Sequence, residues 1–285
     1  MVKLKPEAER RHRQAEQLVR LRRDLNLEER YFVAEHWLEV ATLDNSSNGA
    51  FFTPMDLAAD MELMVSGDRV LDLCAGTGRL SLGCRDEHFR SSLGWPAREF
   101  VCVERNEEYV RVGRKVMPEA EWVVADVFSL AKLDLGQFDT VISNPPYGKT
   151  ARVGRPGDLN LAYRGYRFEY HVLDVAADYA PRGAFLIPQA SAPFRCSGVS
   201  GGEWNGGDEE YRRLEAETGI VLRRSVQIDT SGYAKQWSTR VPQVEVVEAL
   251  FPDWRRVPKR PVAAPPVKAA PAIEAQQLDL FGGAR

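Results

Sequence analysis

The tetrad Asn144-Pro145-Pro146-Tyr147 closes a short apolar run that starts at Phe138, and it presents a side-chain amide where a fixed hydrogen-bond acceptor would be useful. Two prolines stop a β ladder, because neither has an N–H and both have a fixed φ. The residue before a proline is held extended. Asn144 is therefore predicted at the carboxyl end of a buried strand, the edge where open α/β sheets place their ligands. An ordinary Asn-Pro turn has the same four letters, so the neighbouring signals matter. Three carboxylates supply them. Asp72 lies in the strand that runs into Cys74-Ala75-Gly76-Thr77-Gly78, where a carboxylate repels a pyrophosphate but attracts a cation. Glu104 ends the next strand, placed either to accept both hydroxyls of a ribose or to cap the helix that follows. Asp126 ends the third, placed to accept from an adenine amino group.

The elements that must carry these residues are legible as alternating strands and helices. Arg69–Leu73, Glu99–Val103, Glu121–Ala125, the run ending at Ser143, and Gly183–Pro188 read as buried parallel strands. Helices are expected from Arg79, over Asn106–Met117, Phe168–Tyr179 and Glu209–Thr218. Gly76 and Gly78 permit a tight turn and close approach to backbone, yet the third glycine of the dinucleotide pattern is missing. Upstream, Thr53 is predicted to cap a helix with Pro54 as its first residue. Downstream, a flexible Gly/Ser-rich loop at 195–208 precedes two edge strands, Ile220–Ile228 and Gln243–Phe251. Their connection carries Tyr233, Lys235, Trp237 and Arg240, an aromatic and basic mixture suited to bases and phosphates or to a packing lid.

Residues 1–44 are expected to be helical, with Arg10, Arg11, Arg13, Arg20, Arg22 and Arg23 forming either a solvated face or an arm against phosphates. Tyr31, Phe32, Trp37 and Leu38 give this segment an apolar side that docks on the main domain. After Trp254 the chain becomes a Pro/Ala linker with no core-forming pattern. The division is thus a basic helical arm at 1–47, a main domain at 48–252, and a linker and tail at 253–285. The 285 residues are 44% apolar with net charge −3, enough for one large core and neither strongly basic nor acidic. No run approaches a membrane span, and the charged N-terminus implies no export. Cys74, Cys84, Cys102 and Cys196 are too widely spaced for a metal set and read as reduced thiols of a cytoplasmic protein. No metal is expected.

Over 48–251 the sequence resembles the class I S-adenosylmethionine-dependent methyltransferases, specifically the amino-methylating DNA enzymes. It places Phe51-Phe52-Thr53-Pro54 before the glycine turn and the NPPY tetrad after it, like the gamma-ordered adenine enzymes. The resemblance implies an α/β, Rossmann-like sheet, mostly parallel with an antiparallel edge hairpin and helices on both faces. It implies that Phe52 and Thr53 contact the methionine part of the cofactor. Asp72, Ala75, Gly76 and Gly78 would line its amino-acid and sulfonium end, Glu104 would bind its ribose, and Asp126 with Val127 its adenine. Asn144 and Pro145 would accept the hydrogens of an exocyclic base amine, with Pro146 shaping the turn and Tyr147 stacking on a flipped base. Lys149, Phe194, Tyr233 and Trp237 are the candidate substrate contacts. A separate recognition domain is missing, so RNA adenine and protein glutamine remain alternative substrates, as do cytosine-N4 and an inactive DNA-binding role. The tail Gln277-Leu278-Asp279-Leu280-Phe281 resembles the bacterial sliding-clamp-binding pentapeptide, with Gln277, Leu278, Leu280 and Phe281 as contacts. That resemblance implies DNA, the replication clamp and a nucleoid-associated, cytoplasmic setting.

Overall fold

The computed structural model describes residues 6–38, 51–148, 161–237 and 241–253. Lys149, Arg240 and the tail from 254 onward lie outside the described residues. The centre is a seven-stranded sheet. Its strands are β1 (Arg69–Leu73), β2 (Glu99–Glu104), β3 (Glu121–Val124), β4 (Thr140–Ser143), β5 (Arg182–Pro188), β8 (Val221–Arg223) and β9 (Val244–Leu250). A separate two-stranded hairpin joins β6 (Phe194–Arg195) to β7 (Glu203–Trp204). The sheet order is β3-β2-β1-β4-β5-β9-β8. The first five strands are parallel, and β9 runs antiparallel to both β5 and β8. Sequence order therefore reverses direction between β1 and β4. The crevice outside their carboxyl ends is the ligand position of such sheets.

Alternation along each strand divides the core in two, as period-2 geometry demands. Val70, Phe100, Cys102 and Ile142 face one layer. That layer holds α1 (Pro6–Val19), α2 (Leu27–His36), α3 (Met55–Met61), α4 (Arg79–Gly83) and α6 (Glu107–Val116). Leu71, Leu73, Val101, Val103 and Val141 face the other, covered by α7 (Phe168–Ala176) and α8 (Glu209–Thr218). The remaining helix, α5 (Glu87–Ser92), connects α4 to β2.

The expected N-terminal helix is two helices with a break at 20–26, and α2 starts with a capping box between Asn26 and Glu29. Both pack into the first layer, where Ala15, Val33, Ala34 and Trp37 are buried beside Phe52 and Leu82. The arginines of this segment are largely neutralised. Arg10 and Arg11 pair with Glu7, Arg13 with Glu9, Arg20 with Glu16 and Arg23 with Glu29. A face of intrahelical ion pairs has little positive charge left for phosphates, which favours the solvated-face reading.

Other boundaries shift for local reasons. Pro54, not Thr53, stands at the cap of α3, which has no side-chain cap because the Thr53 hydroxyl is used elsewhere. The 195–208 loop is ordered in part as the β6–β7 hairpin. The two edge strands are shorter than expected, with β8 ending at Arg223, and a 3-10 segment, Thr230–Gln236, occupies much of their connection.

Candidate active site at the carboxyl edge

Beyond β1 the chain turns through Cys74, Gly76 and Gly78, with φ of 58°, 57° and 80°. Among the described residues Cys74 is one of two non-glycine residues with positive φ, a conformation that costs free energy and that clusters at functional sites. Side chains at the glycines would intrude, since a Cβ on Gly76 would lie 3.3 Å from the Phe52 ring and one on Gly78 3.1 Å from Trp122. The turn is held by Ala75 N–H donating to the Val103 carbonyl (3.0 Å) and Gly78 N–H to the Ala75 carbonyl (2.9 Å). The result is a bare backbone cradle over the ends of β1 and β2.

Two buried carboxylates lie at this cradle. Asp72, 1% exposed, accepts from the Ser81 hydroxyl on Oδ2 at 2.6 Å. Its Oδ1 has no partner among the described residues. Burial pushes its carboxyl up to about 7, opposed by the Ser81 hydroxyl and reinforced by the Glu104 charge. Glu104 is also buried, and burial raises it above the usual carboxylate range. It accepts from Gly76 N–H at 3.0 Å and from Asn106 N–H at 2.8 Å, so it both braces the glycine turn and holds Asn106, the residue whose side chain caps α6. Asp126 is exposed; its Oδ1 accepts from Phe128 N–H at 3.0 Å, while Val127 behind it is buried.

Asn144 follows β4, next to the glycine turn across the β1–β4 switch. Its Nδ2 donates to the Phe51 carbonyl at 2.6 Å and to Thr53 Oγ1 at 2.9 Å. A carbonyl oxygen can only accept, so the amide has one possible orientation. Oδ1 is left as the acceptor, and the Tyr147 hydroxyl donates to it. The Tyr147 ring stacks on Phe51 with centroids 5.8 Å apart and a 20° interplanar angle, and Trp237 meets Phe51 edge-on at 6.3 Å. Thr53, expected at the cofactor, accepts from Asn144 through its hydroxyl. Pro145 and Pro146 continue the turn to Gly148, whose φ of 97° suits glycine.

The other expected substrate contacts behave differently from one another. Phe194 is 2% exposed and packs in the second core layer, so its ring is not free to stack on a base. Tyr233 turns toward α3 and donates to Asp60. Trp237 is buried against Phe51, with no hydrogen-bond partner for its Nε1 among the described residues.

Two residues with no sequence signal support the site. Glu169, buried at the start of α7, accepts from Gly148 N–H at 3.1 Å and from the Ser191 hydroxyl at 2.7 Å, with burial raising its carboxyl. An acidic residue in a helix's first turn usually reads as a dipole partner, which hid this role. Glu245 on β9 accepts from Gln189 (2.7 Å), Cys196 N–H (3.1 Å) and the Ser197 backbone and hydroxyl (3.0 and 2.9 Å). It ties the loop after β5 to the antiparallel edge. Among the described residues no group of His, Cys, Asp or Glu is arranged to hold a metal, and no helix is long and apolar enough to cross a membrane.

Residues 55–155 match the family model of the Methyltransferase small domain. Among solved structures, the chain is similar to a type I restriction-modification methyltransferase subunit from Streptococcus thermophilus. The two are 17% identical, with a TM-score of 0.50, and the match covers 80% of this chain and 51% of that one. This chain thus spans about half the length of that subunit. It is also similar to a Listeria monocytogenes protein assigned to the class I S-adenosylmethionine-dependent methyltransferases, at 13% identity and a TM-score of 0.56, covering 88% of this chain and 81% of that one. A search of curated proteins gave no match. The fold is that of the class I S-adenosylmethionine-dependent methyltransferases. The residues present fit that cofactor: an unpartnered buried carboxylate oxygen for a cationic end, a Cβ-free cradle, and Glu104 at the second strand end.

Proposed function

We propose that the protein transfers a methyl group from S-adenosylmethionine to the N6 amine of adenine in DNA. The observation that carries this reading is the locked Asn144 amide, which offers Oδ1 to a substrate at the carboxyl edge beside the cofactor cradle. An exocyclic amine is a poor nucleophile because its lone pair is delocalised into the ring. Asn144 Oδ1 and the Pro145 carbonyl would accept its two hydrogens, so that the nitrogen pyramidalises and aims its lone pair outward. The cofactor supplies an electrophilic methyl carbon, and positioning does most of the remaining work. No side chain with a shifted pKa is needed as a base before transfer, because the nitrogen becomes acidic only once methylated. Tyr147, stacked on Phe51, would exchange its hydroxyl contact with Asn144 for a face-on contact with the extruded base.

Asn144→Ala is expected to bind the cofactor normally in calorimetry and to lose methyl transfer to DNA by at least a hundredfold. Wild-type transfer by that variant would refute the mechanism. Incubation with labelled cofactor and separate DNA, RNA and protein pools tests the substrate, and label confined to RNA or protein would replace DNA. The C-terminal Gln277, Leu278, Leu280 and Phe281 support the DNA choice as a proposed docking peptide for the bacterial sliding clamp.

A further inference from the structure

The paired arginines of α1 and α2 do not provide a surface for recognising a substrate. A different surface does. The β6–β7 hairpin carries Trp204, 65% exposed and stacked on Phe194 with centroids 6.4 Å apart and a 22° interplanar angle. An indole displayed this openly on a buried aromatic support is unusual for a packing residue.

Three exposed arginines surround the hairpin. Arg195 lies on β6 itself, with Nε directed to the Ser197 carbonyl at 3.4 Å. Arg212, in the first turns of α8, donates to the Gly207 carbonyl at 3.0 Å. Arg224, just beyond β8, donates to the Gly201 carbonyl at 3.1 Å. Among the described residues none of the three meets a carboxylate within ion-pair distance, in contrast to the N-terminal helices. Asp208 is paired with Arg167, and Glu203 lies across the hairpin from Arg195 without forming a salt bridge. Each guanidinium thus keeps its charge and spare donors while its position is fixed by backbone.

The hairpin's place in the fold joins it to the site. It follows β5, whose carboxyl end lies on the same edge as that of β4. Its approach runs through Ser191, which donates to Glu169, and Glu169 accepts from Gly148 directly after the NPPY tetrad. Glu245 holds the other side of its base at Cys196 and Ser197. An exposed aromatic platform ringed by unpaired arginines on the rim of an amine-methylating site has the chemistry of a polynucleotide contact.

We infer that the β6–β7 hairpin, through Trp204, Arg195, Arg212 and Arg224, grips the strand that flanks the target base. Trp204 stacks on a neighbouring base and the arginines meet its phosphates. The inference rests on the reading of a polynucleotide substrate given above.

The test uses full-length protein, labelled single-stranded and duplex DNA, and the matching RNA, with affinity measured from about 50 to 200 mM salt. Trp204→Ala is expected to bind the methylated polynucleotide about tenfold more weakly, with an unchanged salt slope. The triple change Arg195→Ala, Arg212→Ala and Arg224→Ala is expected to flatten the slope by about 1 per arginine removed. Both variants should keep wild-type melting temperature and cofactor affinity, since all four side chains are exposed. If wild-type protein methylates DNA or RNA and both variants bind it unchanged, the hairpin assignment is wrong while the reading of a polynucleotide substrate stands. If wild-type protein methylates only the protein pool, the substrate reading fails and the hairpin assignment with it.

Discussion

Asp72 is where burial and function pull in opposite directions. Its carboxyl titrates near 3.8 when unfolded and at about 7 in the buried site. Between those values the unfolded chain holds fewer protons than the folded one, so stability falls as pH rises from about 4 to about 7 and levels off above that. For this one group the change is on the order of 4 kcal/mol. A bound cationic cofactor favours the ionised form, so its affinity should tighten as pH rises toward 7. Asp72→Asn should flatten both profiles. Thermal melts and calorimetry across that range check this, and an unchanged stability profile in the variant would assign the pH dependence to other groups. Asn144 shows the opposite economy: its geometry is set by hydrogen bonds to neutral partners, Phe51 and Thr53, so its orientation does not depend on pH.

At the scale of elements, the glycine turn must sit close to its neighbours, and α6 pays the conformational cost of that closeness at Gly113. A Cβ there would overlap the Trp122 ring of β3. In an exposed helix Gly→Ala gains roughly 1 kcal/mol, but overpacking a core costs about 1–3 kcal/mol. Gly113→Ala should therefore be destabilising by about 1–2 kcal/mol in denaturant unfolding, and a stabilised variant would show that α6 can shift away from β3. Trp122 also lies within reach of Gly78, so such a shift should weaken cofactor binding too. Helical periodicity predicted α6 but gave no reason for its glycine, because that reason is a ring from a strand folded against it.

Across the whole molecule, the N-terminal helices are bound into the core of the main domain. Trp37 is 1% exposed, donates from Nε1 to Glu16 at 2.9 Å and offers its carbonyl to Arg79 of α4 at 2.9 Å. Glu16 in turn pairs with Arg111 of α6 at 3.0 Å. Trp37→Ala should cost about 3–5 kcal/mol, measured by chemical denaturation, and should lower cofactor affinity, because the lost ring packs on Phe52, which lies over Gly76 of the glycine turn. A loss below 1 kcal/mol would make the arm an appendage. At the other end, a peptide ending in Gln277-Leu278-Asp279-Leu280-Phe281 should bind the bacterial clamp with micromolar Kd and lose binding when Leu280 and Phe281 are both alanine. No binding by the native peptide would remove the clamp from the proposal. By itself the sequence determined the strand order of chemical groups: a carboxylate and glycines, then two acidic strand ends, then Asn144 before two prolines. Period-2 burial, proline stops and glycine turns are local properties, so they are readable without coordinates. Only the tertiary structure decided that Thr53 serves Asn144, that Glu169 and Glu245 brace the rim, that Phe194 is buried, and that the unpaired arginines gather around Trp204. Those outcomes depend on which distant groups meet, and a hydrogen bond or ion pair between residues a hundred positions apart leaves no periodicity in the chain.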